Sequence, residues 1–127
     1  LSILPLLSML IIFGLYQKTL DALGSLFSAF RKNIRFFREK GVKNVLITRG
    51  EKGCAYHMGD DVHFCPAVKT TPVDTTSAGD TFVGAVCVQR MQGASLPDAV
   101  SYACRASALT VERPGAAASI PYADEVK

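Results

Sequence analysis

Residues 73–85, Val-Asp-Thr-Thr-Ser-Ala-Gly-Asp-Thr-Phe-Val-Gly-Ala, constrain what this chain can fold into more than any other stretch. A run of small and hydroxyl residues ends at Gly79-Asp80, and apolar and small residues begin at once. That pattern predicts a loop feeding a buried helix from Asp80 to about Gln92, with Gly79 permitting a tight turn and Asp80 at the helix N-terminus. Gly84 and Ala85 are expected to let a neighbour approach closely. The first turn of such a helix carries unpaired N–H groups and the positive end of the helix dipole, so it can hold an anion. The Asp80 carboxylate would stand beside that anion, able to accept a proton. An anion cradle next to a base is what phosphoryl transfer to a hydroxyl requires. An ordinary capped helix would carry the same residues, so the flanks must decide.

The flanks read as alternating strand and helix, the pattern of an α/β sheet. Asn44-Val-Leu-Ile-Thr48 is a short β-rich run. Arg49-Gly50-Glu51-Lys52-Gly53 follows as a glycine-bounded loop at its carboxyl end, where open α/β sheets bind ligands. It lacks the glycine and lysine spacing of a P-loop. Residues 54–58 and 61–65 predict a hairpin closed by Pro66. After the central helix, Gly93 marks a stop, and Ser95-x-x-Asp98 has the shape of a capping box opening a second helix to about Glu112. Ala99, Ala103, Ala106 and Ala108 offer it small packing surfaces, and Pro114 blocks continuation.

The N-terminal third is different. Residues 1–16 are uncharged and mostly apolar, yet shorter than the roughly 20 residues of a membrane span and without the basic start of a signal peptide. We read them as a buried or misplaced segment rather than a membrane anchor. Apolar residues at 13, 16, 20, 23, 27, 30, 34 and 37 predict one stripe of a long helix ending at Gly41. The net charge of +3 is small, and Arg31, Lys32, Arg35, Arg38, Lys40 and Lys43 read as a solvated helix face rather than a nucleic-acid surface. Hydrophobic content of 49% and charged content of 20% fit one globular domain or part of one. Four cysteines without a C-x-x-C pair fit reduced thiols and a cytoplasmic setting. Cys54, His57, His63 and Cys65 carry zinc-binding atoms, but Cys54 and His57 are three apart on a strand and so point to opposite faces.

Asp74-Thr75-Thr76-Ser77-Ala78-Gly79-Asp80-Thr81-Phe82 resembles the C-terminal signature D-T-x-x-A/G-G-D-x-F of ribokinase-like (PfkB-type) carbohydrate kinases. The resemblance runs from about Gly41 to Pro121 and includes the return loop Arg113-Pro-Gly-Ala-Ala-Ala-Ser-Ile-Pro121. It implies the C-terminal part of a three-layer α/β/α fold in residues 41–127, behind an atypical apolar, helical segment in 1–40. The implied reaction is transfer of the γ-phosphoryl group of ATP to a sugar hydroxyl with Mg²⁺. Asp80 would be the base, and the N–H groups of Ser77, Ala78 and Gly79 the anion hole. Thr48, Arg49, Gly50, Glu51, Lys52 and Gly53 would lie along the ATP phosphates and ribose, with Cys104 against adenine. Asp74 and Ser119, with the carbonyls of Thr76, Thr110, Arg113 and Gly115, would hold K⁺.

The chain also departs from the family. Asn33 and Asn44 are not followed by Glu three residues on, so the family's Asn-x-x-Glu motif is lacking, as are the sugar-binding elements that precede it. Residues 1–30 match no part of the pattern. The resemblance therefore implies an incomplete kinase, inactive alone, whose full-length form would bind ATP and a small sugar and could form a homodimer. A nucleoside or sugar-phosphate kinase, or an inactive nucleotide-binding or packing fragment, are the alternatives.

Overall fold

The computed structural model describes residues 9–13, Lys32 and 35–127. A four-stranded sheet comprises β1 (Met9–Phe13), β2 (Asn44–Thr48), β3 (Cys54–Met58) and β4 (Asp61–Cys65), in that spatial order. β1 runs parallel to β2, and β2, β3 and β4 are antiparallel neighbours. Both the strand 44–48 and the hairpin thus form where the sequence places them. Val45, Leu46 and Ile47 are consecutive and all buried, which requires that both faces of β2 be covered.

The two faces divide by the two-residue period of a strand. Leu46, Cys54 and Tyr56 point to one side and pack with Phe82, Val86, Leu96, Val100 and Ala103 of two helices, α1 (Ala78–Met91) and α2 (Leu96–Val111). Val45, Ile47 and Ala55 point to the other side, against Phe37 of the helical segment 35–39 and Val42. Helices, sheet and helical segment make the three layers of an α/β/α arrangement. Burial of Val86 and Val100 alone is worth about 1.5–3 kcal/mol each.

Several buried polar groups in these layers find partners, although the His57 Nε2 has none among the described residues. His57 lies on the Phe37 side, where its Nδ1 accepts from the Val45 N–H at 3.1 Å. Burial lowers its pKa and holds the imidazole neutral. Thr110 donates from α2 to the Ala106 carbonyl at 3.2 Å, and its hydroxyl meets that of Thr81 on α1 at 3.0 Å. The Ser95 hydroxyl accepts from the Asp98 N–H at 3.3 Å, so the backbone half of the expected capping box is made.

Three expectations change. Phe13, the first residue of the predicted helical stripe, is the last of β1, so the apolar segment 1–40 is not helical throughout; the stripe positions from 16 to 34 lie outside the described residues. The central helix begins two residues earlier than expected, at Ala78 with Ser77 as its cap. Gly79 is therefore helical rather than part of the tight turn expected ahead of the helix, and Asp80 sits inside the first turn. α1 is also not buried all round: Val88 is 49% exposed, and Gly84 meets nothing among the described residues, whereas Ala85 does pack on the core.

Candidate active site

Three segments meet at the carboxyl end of β2. After Thr48 the chain makes a single 3-10 turn, Gly50–Lys52, closed by the Arg49 N–H donating to the Gly53 carbonyl at 2.7 Å. Gly53 has φ of 85° and ψ of −135°, and it presses on the exit of β4. A Cβ there would lie 2.0 Å from the Cys65 oxygen, 2.7 Å from the Ala67 nitrogen and 2.8 Å from the Pro66 carbonyl carbon. Only glycine fits that position and conformation. The chain beyond β4 then runs without regular structure, through Ala67–Thr70, to the capping loop of α1.

The cavity between these parts has a volume of about 710 Å³, within the range of roughly 300–1,000 Å³ usual for ligand pockets. Thr48, Gly50, Glu51 and Gly53 line one wall, and Val68, Lys69, Thr70 and Pro72 a second. Thr75, Ala78, Gly79 and Phe82 supply the start of α1, while Cys104, Ser107, Ala108 and Val111 of α2 close the floor. The first turn of α1 thus opens on the same space as the glycine-bounded loop of β2, an arrangement suited to a polyanion.

Not every expected residue lies on this wall. Arg49 turns its guanidinium over the Phe64 ring, 5.6 Å from the centroid, and neither it nor Lys52 lines the cavity. Asp80 is exposed on the first turn, beside the lining residues Ala78 and Gly79. Of the three expected anion-hole donors, the Ala78 N–H goes to the Thr75 carbonyl at 3.3 Å, closing the turn that caps the helix. Ser77 is buried, and its side chain makes no cap bond. The Ser107 hydroxyl donates to the Ala78 carbonyl at 3.1 Å and fixes the first turn of α1 onto α2.

Asp74 is the hinge pin of the loop. Its Oδ1 accepts from the Thr76 N–H at 2.9 Å and from the Thr76 hydroxyl, and its Oδ2 from the Gly115 N–H at 3.1 Å. These bonds, the Thr76 hydroxyl's first, hold its carboxyl below the usual carboxylate range. The N–H groups of Val73 and Asp74 both reach the Val111 carbonyl, at 2.7 and 3.1 Å. Asp74, Thr76 and Gly115 are therefore together, joined through the N–H groups of Thr76 and Gly115 rather than the carbonyls expected as cation ligands. The Thr110 carbonyl receives the Arg113 N–H at 3.1 Å, and the buried Ser119 hydroxyl donates to the Ala116 carbonyl at 2.6 Å. The Arg113 guanidinium pairs with Glu125 at 2.8 and 3.3 Å, pinning the return loop and pushing the Glu125 carboxyl down.

Sequence reasoning missed the 67–72 wall and Phe82, Ser107, Ala108 and Val111. The 67–72 segment has no periodicity to announce it, and the α2 residues look like ordinary small packing positions.

The pfkB family carbohydrate kinase pattern matches residues 31–123. The chain belongs to this family. It is 40% identical over 100 residues to a ribokinase of Staphylococcus aureus (strain COL), a match covering 77% of this chain and 33% of that protein. Its fold matches that of a ribokinase from Thermotoga maritima with a TM-score of 0.77 at 35% identity, covering 94% of this chain and 41% of the other. A ribokinase of Arabidopsis thaliana complexed with ribose and ATP matches with a TM-score of 0.70 at 33% identity, covering 75% of this chain and 31% of that one. The chain thus spans about a third of the length of the first of these relatives. The family match begins at residue 31, ahead of Gly41.

Proposed function

We propose that this chain is the nucleotide-binding and proton-accepting part of an ATP-dependent sugar kinase. The observation that carries the reading is the shared cavity, where the glycine-bounded turn after β2 faces the N-terminal turn of α1. The triphosphate would lie from Gly50–Gly53 toward Gly79, its terminal charge met by the helix N-terminus. The nucleoside would sit against Cys104, Ala108 and Val111, and the neighbouring apolar Val68 supplies area for a base.

Asp80, exposed beside that turn, would accept the proton of the sugar hydroxyl as its oxygen attacks the γ-phosphorus. Backbone N–H groups of the first turn would stabilise charge developing on the transferring group. Mg²⁺ would neutralise the phosphate oxygens. Among the described residues no group of three His, Cys, Asp or Glu side chains is placed to hold a metal ion, so Mg²⁺ would be held chiefly by the nucleotide phosphates, as it commonly is. The Asp74 carboxylate and Ser119, with the carbonyls of Thr76, Thr110, Arg113 and Gly115, would hold a hard monovalent cation such as K⁺, which would brace the loop from behind.

The test is Asp80→Asn in the complete kinase. ATP binding, read by thermal shift, is expected to persist while kcat falls by at least about 10²-fold, the lower end of what general base catalysis contributes. Turnover within a few-fold of the parent overturns the base assignment. Failure of the parent chain to bind MgATP overturns the nucleotide site.

A further inference from the structure

Three thiols converge where the hairpin meets the cavity floor. Cys54 and Cys65 are register partners across β3 and β4, and both belong to the cluster that packs on α2. Cys104 of α2 lines the cavity and lies in the same cluster, where burial and then the neighbouring Cys65 and Cys54 push its thiol up. All are free thiols. Cys54 and Cys104 are buried, whereas Cys65 is partly exposed at the end of β4.

We infer that Cys65 and Cys104 are a disulfide-forming pair whose oxidation governs access to the cavity. The choice of partner follows from geometry. Residues directly opposite on antiparallel strands hold their Cβ atoms about 4.5–5.5 Å apart, wider than the roughly 3.8 Å of a disulfide. That disfavours Cys54 with Cys65 and leaves Cys104, which packs in the same cluster from α2, as the partner of Cys65. Burial raises the Cys54 pKa to about 12 and pushes the Cys104 thiol up as well, so neither is the first to meet the oxidant. Cys65, the accessible member, reacts first with a peroxide: its sulfur takes one oxygen to become a sulfenic acid, and water leaves. The Cys104 sulfur then displaces hydroxide from that sulfenic acid, forming the S–S bond and a second water. One peroxide is reduced as two thiols are oxidised.

The bond would join the exit of β4 to the floor of the cavity. Cys65 is the residue whose carbonyl abuts Gly53, so drawing it toward α2 also shifts the wall that carries the glycine turn. Occupancy of the cavity and the disulfide should therefore oppose each other, a coupling that must be reciprocal. That coupling rests on the nucleotide reading above; the disulfide does not.

The reduced protein would be treated with a small excess of hydrogen peroxide, blocked with iodoacetamide and peptide-mapped without reduction. The expected product is an intramolecular Cys65–Cys104 link with Cys87 alkylated. A Cys54–Cys65 link, intermolecular links only, or a Cys65 oxidised beyond sulfenic acid without a link would each overturn the pairing. Cys65→Ser, which leaves the cavity lining intact, should abolish the link, and Cys87→Ser should not. MgATP affinity is expected to fall about tenfold on oxidation and to return with a dithiol reductant. Equal affinities would overturn the coupling. A reduced chain that binds no MgATP would overturn both the coupling and the nucleotide site, and the peptide map would still decide the disulfide.

Discussion

Gly53→Ala should be the most damaging single-methyl change on this side of the sheet. The methyl would sit 2.0 Å from the Cys65 oxygen and under 3 Å from two more backbone atoms, none of which can swing aside as a side-chain tip would. Two costs combine. An alanine at φ of 85° and ψ of −135° carries backbone strain of about 1–3 kcal/mol. Relieving the overlap by moving β4 and Pro66 adds about 1–3 kcal/mol, as other overpacked sites do. The sum, roughly 2–6 kcal/mol, is a large share of a typical domain's 5–15 kcal/mol. Gly50→Ala is the matched control, since φ there is 55° but nothing lies within 4 Å of the added methyl; strain alone should cost about 1–2 kcal/mol. Urea denaturation of both variants separates the terms, provided the m-values agree with the parent. MgATP should also stabilise Gly53→Ala less than the parent, because the cavity wall moves with Cys65. If the two variants lose equal stability, the steric argument is wrong.

Asp74→Ala removes the acceptor of three bonds, two within the α1 loop and one that joins it to the return loop. Because the folded pKa is depressed, the carboxylate's contribution is full above its unfolded value near 3.9 and disappears as pH falls through the folded value. Acid titration of stability should lack that component in the variant. The same variant in the complete kinase should lose any stimulation by K⁺, and a parent with identical rates in K⁺ and choline would remove the cation assignment. For His57, whose folded pKa is lowered, the unfolded chain binds the proton more readily below about 6.5, so stability falls from there toward the folded pKa. His57→Leu should flatten that limb of the pH profile, and an unchanged limb would refute the buried neutral ring. Thr110→Val should cost about 1–2 kcal/mol in thermal or urea unfolding by stranding the buried Thr81 hydroxyl; a neutral result would mean that water or a neighbour takes its place.

The elements with one strong local signal were legible. β2 follows from its β-branched run, the hairpin from two short runs about Gly59-Asp60 closed by Pro66, and α2 from its capping serine and the stop at Pro114. The start of α1 was misplaced because Gly79 reads locally as a breaker, whereas the Thr75 carbonyl and the Ser107 bond draw the helix back to Ala78. Phe13 fits a helical stripe as well as a strand, and parallel pairing with β2, which no local pattern announces, decided for the strand. The glycine turn and the α1 loop were recognisable as site parts. The 67–72 wall was not, because its place depends on Gly53 pressing against Pro66 rather than on its own composition.

The bond between Asp74 and Gly115 spans 41 residues of chain. Everything between those points, including both helices and the cavity floor, forms a loop closed without a covalent link. Its closure entropy must be regained each time the molecule folds, and any ligand that steadies the α1 loop helps to keep the ring shut. Amide exchange at Gly115 should therefore slow when the distant cavity fills, although no part of the return loop touches what fills it.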